Sequence, residues 1–180
     1  MVNSHKIKIF DFWVVLSLIA AIFFINFNGI NAADAAKVKK APDFDLKVLN
    51  SAASGYADFS LESFRGHVVI INFWATWCPP CRHEISMLEN FYQSERGNGV
   101  IVVGINVDNS LSGVRSFIGL HNIKYPVVYA SSGLISNYGG INEIPQTFFI
   151  SKNGNIMFHW VGEISHETLN AITGKLLNMN

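Results

Sequence analysis

Two hydrophobic periodicities alternate along the chain. Val68 to Ala75 is apolar at every position but Asn72, and Val100 to Val107 repeats the pattern with mostly β-branched residues. Runs of this kind predict strands covered on both faces. Phe44, Leu46 and Val48 alternate with polar residues and predict an edge strand, with Pro42 tolerated at its start. Tyr125 to Tyr129 predicts a short strand. Ile144 to Ile150 and Ile156 to Trp160 predict two more, joined antiparallel by an Asn153-Gly154 turn. Between them the spacing changes to that of helices. Cys81, Ile85, Leu88 and Tyr92 share one helical face, and Gly97 and Gly99 end that pattern. Leu111 to His121 reads as a helix capped by Ser110, with Val114, Phe117, Ile118 and His121 on one side. Leu134 to Tyr138 reads as a helical turn. Ser165 to Met179, with Glu167 in its first turn and Leu169, Ile172 and Leu176 at helical spacing, reads as a closing helix. Ser51 to Gly55 is a small-residue turn. Strands alternating with helices predict an α/β fold around a mixed central sheet.

Residues 1 to 36 stand apart. His5, Lys6 and Lys8 form a positive start, Phe12 to Ile25 is apolar except for Ser17, and small residues follow at Ala32, Ala33, Ala35 and Ala36. This is the pattern of a targeting segment, so the protein is expected to be exported. Ala33-Asp34-Ala35 fits a cleavage site, while the apolar run extended to Phe27 nearly spans a bilayer; signal peptide and membrane anchor both stand. Lys37, Lys39 and Lys40 blur the charge asymmetry that would orient an anchor. Residues 37 to 180 form one domain. With 13 basic and 13 acidic residues the chain has no net charge, and no basic field exists to draw nucleic acid.

The chain has two cysteines, Cys78 and Cys81, and both lie where the first buried strand gives way to a helix. Pro79 and Pro80 suit a first helical turn, which needs no intrahelical N–H, so Cys78 is expected near the N-cap and Cys81 inside the first turn. Cys81 then faces the core and Cys78 the exposed tip. A thiolate at a helix N-terminus is stabilised by the macrodipole and by free N–H groups. Cys78 is therefore the expected nucleophile, and Cys81 the thiol that resolves the mixed disulfide. Rival uses of C-x-x-C fit less well. Haem attachment requires His after the second cysteine, where Arg82 stands, and structural zinc requires four ligands, for which His83 and distant histidines are poor candidates. No metal and no cofactor is expected. An inert disulfide would close so short a loop that little entropy would leave the unfolded chain. His121 reads as a surface or helix-end histidine, with metal ligation or proton shuttling as the alternatives.

Phe73-Trp74-Ala75-Thr76-Trp77-Cys78-Pro79-Pro80-Cys81-Arg82, followed by Glu84, resembles the thioredoxin superfamily, in particular its extracytoplasmic branch holding TlpA, ResA and the thioredoxin-like proteins of cytochrome c maturation. The resemblance runs from about Ala41, where Ala41-Pro42-Asp43-Phe44-Asp45-Leu46 is similar to the entry segment of that branch. Phe59 to Gly66 is similar to the strand, helical turn and glycine before its active-site strand. It implies a thioredoxin fold and a protein-disulfide reductase acting through a redox-active Cys78–Cys81 pair. It further implies a cis bond at Ile144-Pro145, turning the Ile144 backbone toward an extended substrate strand; on spacing alone an ordinary trans bond fits equally well. Trp77 and Pro79 are expected to touch the substrate, as part of a collar around the cysteines, and Trp74 to pack. Asn72 stands where cytosolic relatives carry an aspartate that accepts the proton of the resolving thiol, and Glu84 is the expected replacement. Its alternative is a surface carboxylate complementing the helix N-terminus. Two prolines remove N–H groups from the first turn, which favours a reductant over an oxidant. The implied partners are a disulfide-containing protein such as an apocytochrome, a membrane dithiol that supplies electrons, and the inner membrane. The other function classes left open are a redox-inactive peptide-binding module and a thiol peroxidase. Against the latter, Thr76 lies two residues before Cys78 and not three.

Overall fold

The computed structural model describes residues 39–179, and the expected targeting segment lies outside them. Among the described residues, no helix is long and apolar enough to cross a membrane.

The centre is a five-stranded mixed sheet. Its strands are β3 (Val68–Trp74), β4 (Val100–Asn106), β5 (Val127–Tyr129), β6 (Gln146–Ile150) and β7 (Ile156–Val161), in the order β5-β4-β3-β6-β7. Strands β3, β4 and β5 run parallel, whereas β6 is antiparallel to β3 and β7 to β6. Strands β3 and β4 are buried at every position, as their continuous apolar runs predict.

Alternation along β3 sends its side chains into two cores. Val68, Ile70 and Trp74 pack with Ile85, Leu88 and Tyr92 of α2 (Pro79–Glu95), Val114 and Ile118 of α3 (Val114–Leu120), and Leu169 and Leu176 of α5 (His166–Leu177). Val69, Ile71 and Phe73 face the other way, against Phe44, Phe59, Leu61, Leu134 and Tyr138. On that side lie the hairpin of β1 (Asp45–Lys47) and β2 (Asp58–Ser60) and α4 (Ser132–Asn137), which Ser131 caps, whereas α1 (Ser51–Ser54) sits near Arg115 and Ile118 of α3. Helices on one face, and a hairpin with a short helix on the other, give the thioredoxin fold that the resemblance implies.

Three local expectations are corrected. The edge strand expected at Phe44–Val48 belongs to a separate two-stranded sheet, where Asp45–Lys47 pairs with Asp58–Ser60, and it joins the central sheet where Val48 bridges to Val128 and the Leu49 N–H donates to the Val127 carbonyl at 2.7 Å. The Ser51 turn is one short helix closed by Gly55 at φ 82°. Helix α3 begins at Val114 and not at Leu111, because the Ser110 hydroxyl accepts the Ser112 N–H, a local turn that competes with the helix. Leu111 is left exposed, and Gly113 takes the left-handed conformation that starts the helix. The Asn153-Gly154 hairpin stands as expected, with Gly154 at φ 77°.

Candidate active site

Strand β3 ends at Trp74, and four residues later the chain turns into α2. Two contacts hold the turn from below: Val107 N–H donates to the Trp74 carbonyl at 2.9 Å, and Cys78 N–H donates to that of Ala75 at 3.3 Å. Asp108 holds it from the side. Its carboxylate accepts the Thr76 N–H at 2.9 Å, the Thr76 hydroxyl at 2.7 Å and the Asn106 amide at 2.6 Å. The cysteines therefore sit on a clamped loop at the carboxyl ends of two parallel strands, where open α/β sheets place their chemistry.

Cys78 is the N-cap of α2 and Cys81 lies in its first turn, as the prolines predict. The two are joined by a disulfide, with Cα atoms 5.3 Å apart. The Cys78 sulfur also caps the helix, accepting the Cys81 N–H at 3.3 Å. Pro79 and Pro80 occupy the positions between and bring no donors of their own.

The expected exposure of Cys78 is corrected. Cys78 is 3% exposed and Cys81 0%. The sulfur of Cys78 is turned inward by its bond to Cys81 and lies 3.8 Å from the Ile144 carbonyl oxygen, on the edge of the neighbouring strand. The exposed tip of the loop is Trp77, at 64%. Trp74 is wholly buried in the core, its indole over Phe117 at 5.3 Å.

The Ile144-Pro145 bond is cis. It heads β6, placing Ile144 beside Cys78, and the Pro145 carbonyl accepts the Gly162 N–H at 2.9 Å. Trp77, Ile144, Pro145 and the cysteine pair thus meet at one end of the sheet, although 66 residues separate Cys78 from Ile144.

Glu84 is not on the surface. It is 1% exposed, one helical turn beyond Cys81 on the same inward face. Its carboxylate accepts the Asn72 amide at 2.7 Å and the Ile164 N–H at 3.1 Å. Both bonds favour the ionised form, yet loss of solvent outweighs them and raises its pKa from 4.5 to about 7. Asn72 also donates to the Thr147 hydroxyl at 3.1 Å, across the β3–β6 pair. The Asn72 side-chain oxygen finds no partner among the described residues. A protonated Glu84 would need an acceptor for its O–H, and the Asn72 oxygen becomes one when that amide turns over, since its nitrogen is the atom that faces Glu84 here.

Sequence reasoning missed Asp108, Thr147 and the backbone donors Gly162 and Ile164. Asp108 had a signal, since it directly follows a buried parallel strand. The backbone donors had none, because an N–H is common to nearly every residue.

Comparison with known proteins agrees with this geometry. The AhpC/TSA family matches residues 38–159, which include both cysteines and Pro145. A relative named thiol-disulfide oxidoreductase ResA, from Oceanobacillus iheyensis, is 32% identical over 86% of this chain and 83% of its own length. Among solved structures, a thiol:disulfide interchange protein of the thioredoxin family from Chlorobium tepidum superposes with a TM-score of 0.71 at 33% identity, over 79% of this chain and 99% of its own. A secreted thiol-disulfide isomerase from Corynebacterium glutamicum gives 0.70 at 26% identity, over 81% and 90%.

Proposed function

We propose, for a chain that belongs to the AhpC/TSA family and is a thiol-disulfide oxidoreductase of the ResA type, that its dithiol form reduces disulfides in exported proteins. The observation that carries this is the meeting of the cysteine pair, capped on a helix N-terminus, with the Ile144-Pro145 edge that can pair with an extended peptide.

The chemistry is a two-electron exchange. The Cys78 thiolate attacks one sulfur of the substrate disulfide, that S–S bond breaks, and the other substrate sulfur leaves as a thiolate that takes a proton. Cys81, deprotonated, then attacks the Cys78 sulfur. The Cys78–Cys81 disulfide forms and the second substrate thiol is released. A membrane dithiol restores the reduced pair. Glu84, with its pKa at about 7, accepts the proton that Cys81 loses and returns it when the pair is reduced again. Trp77 and Pro79 border the substrate, and Asp108 keeps the loop in register with the Ile144 edge.

The direction is supported by the prolines: the first turn of α2 offers the Cys78 sulfur one N–H, from Cys81, so its thiolate gains little from the helix and the pair favours giving electrons. The apolar segment before residue 37 and the secreted neighbour support export, with residues 1–36 as signal or anchor and residues 37–180 as the working domain facing the periplasm or its equivalent. An apocytochrome's cysteine pair is the substrate that the resemblance of the Phe73-to-Arg82 motif to the cytochrome c maturation branch implies. The test is reduction of insulin disulfides by the wild type, with no reduction by Cys78→Ser; equal turnover by both proteins would refute the reading, and peroxide consumption in place of disulfide reduction would move it to a thiol peroxidase.

A further inference from the structure

Arg82, His83 and His121 have no part in the exchange itself, yet the fold gathers them. Arg82 ends the first turn of α2 and His83 begins the second, and His121 closes α3, 38 residues further along the chain. Together with Pro79 they line an open cleft of about 360 Å³. No carboxylate lines it. His121 is held in place, its ring against that of Phe117 at 4.1 Å with the planes tilted by 32°, and its backbone N–H donating to the Phe117 carbonyl at 3.0 Å. His83 approaches Glu163 at 3.9 Å, a long and exposed contact. Among the described residues, the Arg82 guanidinium has no ion pair and no hydrogen bond, in contrast to Arg65 with Glu62 and Arg115 with the Leu49 carbonyl. Its backbone stands one helical turn from the reactive bond, the Arg82 N–H making the helix's own bond to the Cys78 carbonyl at 3.1 Å.

We propose that this cleft is a substrate subsite, in which Arg82, with ring N–H donors from His83 and His121, takes an acidic side chain of the partner protein close to its disulfide. The inference rests on the disulfide-reductase reading and names the substrate class within it. The geometry gives a peptide two holds. Strand β6, which Pro145 immediately precedes, flanks β3 on one side, and β4, which leads into α3, flanks it on the other. A segment paired along Ile144 and crossing over Trp77 therefore leaves the cysteines on the side of the cleft. A guanidinium binds a carboxylate with paired N–H donors, and a neutral imidazole still provides one N–H. Such a contact at an exposed rim acts mainly on encounter and choice of partner, more than on total affinity.

The test uses three synthetic peptides with one internal disulfide each, identical except for Glu, Gln or Lys flanking the cysteines, reduced in single turnovers by the dithiol form of the full chain. The wild type should reduce the Glu peptide about fivefold faster than the Gln peptide at low salt. The advantage should fall toward unity near 1 M salt, where the screening length is about 3 Å. Arg82→Glu should reverse the order, favouring the Lys peptide, a gain that only a folded and active variant can show. His121→Gln should lower the preference without reversing it. A Glu-to-Gln ratio unaltered by Arg82→Glu, or one insensitive to salt, overturns the subsite. Failure of the wild type to reduce even the Gln peptide overturns instead the reductase reading beneath it.

Discussion

Replacing Glu84 by Gln should flatten the pH dependence of stability. A carboxyl whose pKa stands at about 7 in the fold and at 4.5 in its ordinary state binds its proton more tightly when folded. Below pH 4.5 both states hold the proton and the fold has the full benefit. Through the window from 4.5 to 7 that benefit is lost, and above 7 the fold keeps an ionised group in a site stripped of water. At about 1.36 kcal/mol per pKa unit, the loss across the window is on the order of 3 kcal/mol. Glutamine preserves the size and can still accept the Ile164 N–H; its own amide then meets the Asn72 side chain, whose amide turns over to present its oxygen. The assay is urea unfolding of both proteins in the disulfide form, at steps from pH 4.5 to pH 8.5. Glu84→Gln should match the wild type at the acid end and exceed it by about 3 kcal/mol at the alkaline end. Parallel curves for the two proteins would show that Glu84 does not carry a raised pKa, and the proton-relay role would go with it.

The same substitution should remove an inflection near pH 7 from the rate at which the dithiol form regenerates its disulfide on a model substrate, measured by stopped-flow tryptophan fluorescence. Asp108→Ala takes the partner from the Thr76 N–H and hydroxyl and should cost about 1–3 kcal/mol in urea unfolding, together with slower substrate reduction; Asp108→Asn should recover part of both. Gly104→Ala should destabilise by about 1–3 kcal/mol, since a Cβ there would lie 2.9 Å from the Trp74 indole nitrogen and 3.0 Å from the Tyr125 ring; calorimetry checks this.

Much of the site was legible because it is local. The strand that ends at Trp74, the prolines after Cys78 and the inward face from Cys81 to Tyr92 are neighbours in sequence, and periodicity reads them directly. The departure at Asn72 pointed to Glu84 as the replacement carboxyl, but not to the hydrogen bond between the two, which follows from β3 lying beneath α2. What escaped depends on distant chain. The burial of Cys78 comes from the disulfide and from Ile144 on another strand. The hairpin of β1 and β2 forms a sheet of its own although Phe44 and Leu46 alternate as edge residues do, because alternation says which face is apolar and not which strand lies alongside. The helix beginning at Val114 was read three residues early, since Leu111 fits the helical period yet finds nothing to pack on.

The central claim is that the two sulfurs have distinct roles, and single-cysteine trapping tests it most directly. Cys81→Ser and Cys78→Ser are each reduced, mixed with a disulfide-containing peptide, quenched with acid and weighed by mass spectrometry. The account predicts a persistent mixed disulfide on Cys78 in the first variant and essentially none on Cys81 in the second. Comparable adducts in both variants, or an adduct on Cys81 alone, would contradict it.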